Sequence, residues 1–206
     1  METMKEFWNH KAQTPGDITP GQGPCASAVD DMLRNISSEE LAVSSLLDLG
    51  CGEGRLTGLI AGRVASYTGA DISSVALARA RAYATERGLT NVSLIELVDG
   101  DRGKLGDMGP FDIVTSYTVF MHLPQSIFAE YLNSIFKVLK PKGHFNFQIA
   151  GPDEHLRYDN IGDWNFWTSR YYPDEVVAEH LTKAGFVIVG TPLQKVGSCW
   201  LTIKGD

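Results

Sequence analysis

Three glycines on alternate positions, Gly50, Gly52 and Gly54, end a hydrophobic run in LLDLGCGEGRLTGLIAGRVASYTGADIS, Leu46 to Ser73, and Asp71 follows about twenty residues on. Each of these residue types suits a ligand. Gly50 can take a tight turn at positive φ, and Gly52 lets backbone come close to a bound molecule. Gly54 is placed to open a helix, whose free N–H groups favour a carboxylate or phosphate. Asp71 is acceptor-only when ionised and can take hydrogen bonds from two adjacent sugar hydroxyls. A dinucleotide fingerprint would carry its third glycine at position 55, but Arg55 stands there, so the spacing is GxGxG with acidic Asp48 just before it.

Histidines supply the remaining acid–base candidates. His155 follows the expected fifth strand, faces where a substrate should enter, and ranks first as a general base. His122 follows the expected fourth strand, where a packing or turn role in FMHLP is the stronger reading. His10 lies in the N-terminal segment, while His144 and His180 read as structural. Cys25, Cys51 and Cys199 are too widely spaced for a zinc pattern, and no dense metal-ligand cluster appears, so no metal is expected.

Composition narrows the class. The 206 residues suit one domain. A net charge of -7 opposes non-specific nucleic-acid binding, which needs clustered Lys and Arg. No apolar run reaches the roughly 20 residues of a membrane span. The start, METMKEFWNHKAQ, lacks the apolar core of a secretory signal. A soluble cytoplasmic protein with free thiols is expected.

The elements that must position these residues alternate. Met1 to Pro24 carries three prolines and several glycines and reads as mostly irregular, a stiff flap. Cys25 to Glu40 has helical spacing. Ser44–Leu49 reads as a buried strand, Gly54–Val64 as a helix, Tyr67–Ala70 as a strand. A helix capped by Ser73 or Ser74 stops at Gly88. Val92–Val98 and Phe111–Tyr117 read as strands, Gln125–Lys140 as a helix, His144–Ile149 as a strand and Pro173–Ala184 as a helix. Phe186–Val189 and Cys199–Ile203 have no helix between them and should pair antiparallel. This order predicts a Rossmann-like α/β fold: a doubly wound, mostly parallel seven-stranded sheet with an antiparallel edge strand and helices on both faces. Ligands of such sheets bind at the carboxyl ends of the strands.

With these motifs in view, the chain resembles the class I S-adenosylmethionine-dependent methyltransferases. LLDLGCGEGRLTGLIA is similar to their first motif and GADIS to their second. LVDGDRGKL, FDIVTSYTVFMHLP, IFKVLKPKGHFNF and YYPDEVVAEHLTKAGF follow in collinear order. The resemblance covers Leu46 to Asp206. It implies S-adenosyl-L-methionine as cofactor, with a shell of Trp8, Asp48, Gly50, Cys51, Gly52, Gly54, Arg55, Asp71, Ile72, Ser73, Asp101, Arg102, Ser116 and Tyr117. Asp71 would hold the ribose and Asp101 the adenine amino group, with Asp99 as competitor in DGD. It also implies methyl transfer by in-line displacement within a single domain: residues 1–43 as N-terminal cap and helix, 44–150 as cofactor-binding core, 151–172 as substrate loop, and 173–206 as last helix and strand pair.

The acceptor should be a small molecule, partly apolar or aromatic. GPDEHLRYDNIGDWNFWTSRYY carries Tyr158, Trp164, Phe166, Trp167, Tyr171 and Tyr172, and with Phe7 and Trp8 it could roof a pocket. Met1–Pro24 and Gly151–Tyr172 are expected to close over it as a lid. After the fourth strand SYTV stands where DNA-base amino methylation would require Asn-Pro-Pro-aromatic. Two rival readings stay open: a protein that binds the cofactor without transferring methyl, and a nicotinamide oxidoreductase on a similar sheet.

Overall fold

The computed structural model describes residues 3–13, 25–98, 105–149, 157–158, 170–190, 193–194 and 198–205. It divides into two compact units, Met1–Asp101 and Arg102–Asp206.

In the first unit, helix α1 spans Met4–Gln13, α2 Cys25–Leu33 and α3 Ser38–Val43. Strand β1, Ser45–Leu49, is followed by the short α4, Thr57–Ile60, and a 3-10 turn, Ala61–Arg63. Strand β2, Ser66–Asp71, helix α5, Ser74–Glu86, and strand β3, Val92–Glu96, complete it. The strands lie parallel in the order β3-β2-β1, with Leu49 opposite Ala70 and Asp71 opposite Glu96. Four of the five β1 residues are buried, as expected for a parallel strand covered on both faces. Helix α5 is capped by Ser73, whose hydroxyl accepts from the Ala76 N–H, and it lays Ala76, Leu77, Ala80 and Ala84 against the interior. Small residues on that face let the helix approach the sheet closely.

In the second unit, strand β4, Phe111–Tyr117, leads through a 3-10 turn, Phe120–His122, into α6, Gln125–Val138, and β5, Leu139–Ile149. Two-residue strands β6, Arg157–Tyr158, and β7, Arg170–Tyr171, pair parallel. Then come α7, Asp174–Lys183, β8, Phe186–Ile188, β9, Leu193–Gln194, and β10, Ser198–Lys204. β5 runs parallel to β4, and β10 runs antiparallel to β5 and to β8. The final pair forms as expected, with β10 inserted between β5 and β8. Rings fill the interior: Phe120 stands edge-on to Phe128, Phe145 and Phe147, and Phe147 stacks on Phe145 at 4.7 Å between centroids.

Several boundaries differ from those read in the sequence. The N-terminal segment, expected to be irregular, contains α1; its prolines all lie beyond Gln13, among the residues not described. The single helix expected over Cys25–Glu40 is two helices, because Ser37 turns extended and its hydroxyl accepts from the Glu40 N–H as a new N-cap. Gly54 does not open a helix. At φ +86° it cannot take a right-handed helical conformation, and α4 begins three residues later. The helix expected to reach Lys140 stops at Val138, and strand β5 starts at once and absorbs Pro141 and Gly143. β3 ends at Glu96, short of Val98.

Candidate functional site

The site begins in the backbone of the glycine loop. Gly50, Gly52 and Gly54 have φ of +76°, +56° and +86°, a left-handed conformation on every second residue that L side chains rarely adopt. The Gly50 and Cys51 N–H groups both donate to the Ala70 carbonyl, at 2.7 and 3.2 Å, which ties the loop to the end of β2. Gly54 also gives close packing: a Cβ there would meet Thr57 Oγ1 at 3.2 Å and the Ala80 Cβ at 3.3 Å.

This fold-back brings the two ends of the motif together. The Gly52 N–H donates to Asp71 Oδ2 and the Ser73 N–H to Asp71 Oδ1, each at 2.8 Å. Both carboxylate oxygens are thereby aimed by backbone. Each oxygen retains a further lone pair for an incoming hydroxyl. Burial pushes the Asp71 carboxyl above its ordinary value, and N–H donation from Ser73, Gly52 and Ile72 works in the opposite direction.

Beneath the loop lies a buried polar line. The Thr57 hydroxyl donates to the Tyr67 hydroxyl at 3.0 Å, and the Tyr67 hydroxyl donates to Asp48 Oδ2 at 2.6 Å. Burial first, then the Asp48 charge, hold the Tyr67 phenol well above its usual range, so it stays a donor. Cys51 is a buried free thiol whose ionisation is opposed by burial and then by Asp71 and Asp48. It is therefore a packing residue and not a nucleophile. Arg55 and Ile72 are half-buried beside these groups.

Helix α1 brings further residues to the same loops. Trp8 is half-buried and stands edge-on to Phe7 at 5.2 Å. Asn9 Oδ1 accepts from the Ser73 hydroxyl at 2.8 Å and from the Val75 N–H at 3.4 Å. Glu53, between two of the glycines, is buried and paired with Arg79 of α5. Asn9, Glu53, Tyr67 and Arg79 escaped the sequence reading. Only Glu53 lay inside a motif; nothing local marks the other three.

In the second unit, Ser116 is fully buried in β4 and Tyr117 ends the strand half-buried, opposite Gln148 of β5. Thr118 follows at φ +58°, and its hydroxyl donates to the Tyr117 carbonyl at 2.7 Å. His122 is half-buried in the 3-10 turn, its N–H donating to the Val119 carbonyl at 2.9 Å. His180 sits 2.7 Å from Gln125 Nε2 and edge-on to Phe128, a packing role as expected. His144 lies within β5 and His10 is exposed on α1. Asp99, Asp101, Arg102, His155, Trp164, Phe166 and Trp167 lie outside the described residues, as does most of the expected lid. Tyr172 is described: its hydroxyl donates to the Leu123 carbonyl and its ring stacks on Phe128, so this aromatic belongs to the core. Among the described residues no cluster of His, Cys, Asp or Glu could hold a metal ion, and no helix is long and apolar enough to cross a membrane.

Comparison with known proteins bears on this geometry. Residues 46–143 match the methyltransferase domain family. A ubiquinone biosynthesis O-methyltransferase of Alkalilimnicola ehrlichii is 34% identical over 106 residues, covering 50% of this chain and 40% of that protein. A 2-heptyl-1-hydroxyquinolin-4(1H)-one methyltransferase of Mycobacteroides abscessus is 32% identical over 100 residues, covering 48% and 43%. The chain thus spans less than half the length of these curated relatives. Among solved structures, a magnesium protoporphyrin IX methyltransferase of Synechocystis, with S-adenosylhomocysteine bound, superposes with a TM-score of 0.73 at 16% identity, covering 98% of both chains. A 1,6-didemethyltoxoflavin-N1-methyltransferase of Burkholderia thailandensis gives 0.63 at 19% identity, over 96% of this chain and 84% of that one. These likenesses give the fold: a Rossmann-like, mostly parallel sheet with an antiparallel edge and flanking helices, as the sequence predicts.

Proposed function

We propose that this chain is a class I S-adenosylmethionine-dependent methyltransferase that transfers a methyl group from S-adenosyl-L-methionine to a small-molecule acceptor. The observation that carries this reading is the pair of 2.8 Å hydrogen bonds from Gly52 and Ser73 to the two oxygens of Asp71. They present a carboxylate with remaining acceptor capacity beside a loop that has no side chain at Gly52. That combination fits a ribose carrying two adjacent hydroxyls, next to a chain that passes close to backbone.

The cofactor, when bound, supplies a methyl group on a positively charged sulfur; the acceptor's lone pair forms the new bond as the methyl–sulfur bond breaks, its electron pair staying on sulfur. The protein's part is to hold the two partners in line. Asp71 orients the sugar. Asp48, buried under the loop and accepting from Tyr67, contributes negative charge that favours a cationic ligand. Trp8, Cys51, Gly54, Arg55, Ile72, Asp101, Arg102, Ser116 and Tyr117 complete the cofactor shell in this reading. A proton on the acceptor, where there is one, would leave to His155, with His122 as second candidate.

The whole chain acts as one domain in this reading. Residues 151–172 serve the acceptor in this reading, apart from Tyr172, whose ring lies in the core. The acceptor is a partly apolar ring compound. Aromatic residues in 151–172 support this, as do the ring-bearing compounds in the names of several relatives. Cytoplasmic location belongs to the same proposal.

The test is mass spectrometry of candidate ring acceptors incubated with methyl-labelled cofactor. Labelled acceptor should appear in equal amount with S-adenosylhomocysteine. Binding of the cofactor with no labelled product across hydroxylated, aminated and thiol acceptors would favour the non-transferring reading instead.

A further inference from the structure

Two hydrogen-bonded contacts of helix α1 lead to the loops of the proposed cofactor site, one directly and one through Arg79 of α5. At its middle, Asn9 Oδ1 accepts from Ser73 Oγ at 2.8 Å and from the Val75 N–H at 3.4 Å. Ser73 is the residue whose N–H donates to Asp71. At its end, the carbonyl of Gln13, the last residue of α1, accepts from Arg79 Nη2 at 3.4 Å. The other arm of the same guanidinium, Nη1, holds the buried carboxylate of Glu53, between Gly52 and Gly54.

A guanidinium is planar, and its two terminal nitrogens keep a fixed separation. Movement of Glu53 therefore reaches the Gln13 carbonyl through one rigid group. The last carbonyls of a helix have no partner within it, and a cation there is favourable. A ten-residue helix is marginal on its own, so contacts outside it, these among them, hold α1 in place. A third contact, Lys5 to Glu96 at the end of β3, is an exposed ion pair and adds little.

We propose that Arg79 is a positioning residue that couples the docking of α1 to the shape of the glycine loop, so that cofactor binding and α1 docking strengthen each other. This rests on the cofactor reading above and goes beyond it: Arg79 acts through Glu53 and the Gln13 carbonyl. Coupling of this kind is reciprocal, so whatever α1 docking adds to cofactor affinity, cofactor adds to α1 docking. Trp8 lies within the helix so controlled.

The experiment uses the full chain and S-adenosylhomocysteine. Hydrogen exchange of residues 4–13 is measured with and without it, and affinity by calorimetry, for the wild type, Arg79→Met, Arg79→Lys and Asn9→Ala. The wild type should exchange more slowly in 4–13 when S-adenosylhomocysteine is bound. Arg79→Met should bind about tenfold more weakly, about 1.4 kcal/mol, and lose that ligand-dependent slowing. Arg79→Lys keeps one cation for Glu53 but has no second arm for Gln13, so it should recover part of the affinity and still lose the slowing. It is the decisive variant if Arg79→Met does not fold. Asn9→Ala should reduce the slowing with Arg79 intact. A merely structural role for Arg79 would lower stability and leave the ligand-dependent slowing in place. The proposal is overturned if the wild type binds S-adenosylhomocysteine without change in 4–13, or if both Arg79 variants bind as the wild type does. Failure of the wild type to bind at all would instead strike the cofactor reading itself.

Discussion

Beneath the glycine loop, the first unit buries Asp48, Tyr67 and Thr57 in a hydrogen-bonded line, whereas the second unit buries Phe120, Phe128, Phe145, Phe147 and Trp200 as stacked and edge-on rings. These two buried groups hold their surroundings by different means. A hydrogen bond is directional and costly to leave unmade, so the polar line fixes the loop above it to within a narrow geometry. Ring packing is worth more per residue but tolerates small rotations. In this chain the directional line lies under the glycine loop, and the ring cluster contributes cohesion to the second unit. Substitutions should therefore separate binding from stability along the same division.

The largest effect should come from the ring interior. Phe147 is fully buried and meets Phe120, Phe128, Phe145 and Trp200. Phe147→Ala should cost about 3–5 kcal/mol of folding stability, read by urea unfolding. Affinity for S-adenosylhomocysteine, measured where the variant is still folded, should change little. A large affinity loss in folded protein would remove the division just drawn.

Gly52→Val should do the reverse. A residue at φ +56° is left-handed, which costs an L residue about 1–2 kcal/mol, and a branched side chain there enters space left for ligand. Calorimetry should detect no binding in a variant that still unfolds cooperatively. Wild-type affinity in that variant would mean that the glycine serves the turn alone.

Asp71→Ala should weaken binding tenfold to a hundredfold, because charge-assisted hydrogen bonds of about 1.5–3 kcal/mol are lost. The pH dependence has a defined sign. Asp71 has its carboxyl raised above 3.8 by burial, so acidification through that raised value protonates the acceptor, and affinity should fall as pH drops. Asp71→Asn should flatten this acid limb. Folding stability moves the other way: the charged form is penalised in the folded state, the folded chain holds the proton more tightly, and the penalty lessens as pH falls through the raised value. A titration of affinity from neutral to acid pH checks the first sign, and unfolding of the ligand-free protein over the same range checks the second.

The smallest effect should be that of Tyr67→Phe. It removes one buried hydroxyl that donates to Asp48 and accepts from Thr57. A loss of about 1.5 kcal/mol in stability is expected. Cofactor affinity should fall with it, since Asp48 and Thr57 then lose the group that aligns them. Stability falling while affinity stays unchanged would show that the polar line supports the fold and not the loop.

Much of this was legible in the chain itself. The strand and helix alternation follows from buried apolar runs and helical spacing, which are local. GxGxG and Asp71 were legible because a left-handed backbone and an acceptor for hydroxyls restrict the residue type at single positions. The helix-opening role expected of Gly54 does not occur, because a glycine at a helix start and a glycine at positive φ packed against Ala80 look alike in one dimension. Helix α1 was missed for a different reason. MKEFWNHKAQ has neither proline nor glycine, but the stretch directly after it carries three prolines and hides its helical character in the composition of 1–24.

By itself, then, the sequence determined most of the strand and helix order, the glycines at positive φ and the aspartate placed at the end of β2, because each depends on backbone conformation or burial pattern over a few residues. Tertiary structure alone decided what fastens α1 and what lies under the glycines. The Ser73–Asn9 bond joins residues 64 apart, Arg79 and Glu53 are 26 apart, and Tyr67 and Asp48 are 19 apart. No local rule selects such partners. They meet because parallel pairing of β1 with β2, and packing of α1 and α5 beside their loops, bring strand, loop and helix residues together, and polar side chains that lose water there must satisfy one another's hydrogen bonds.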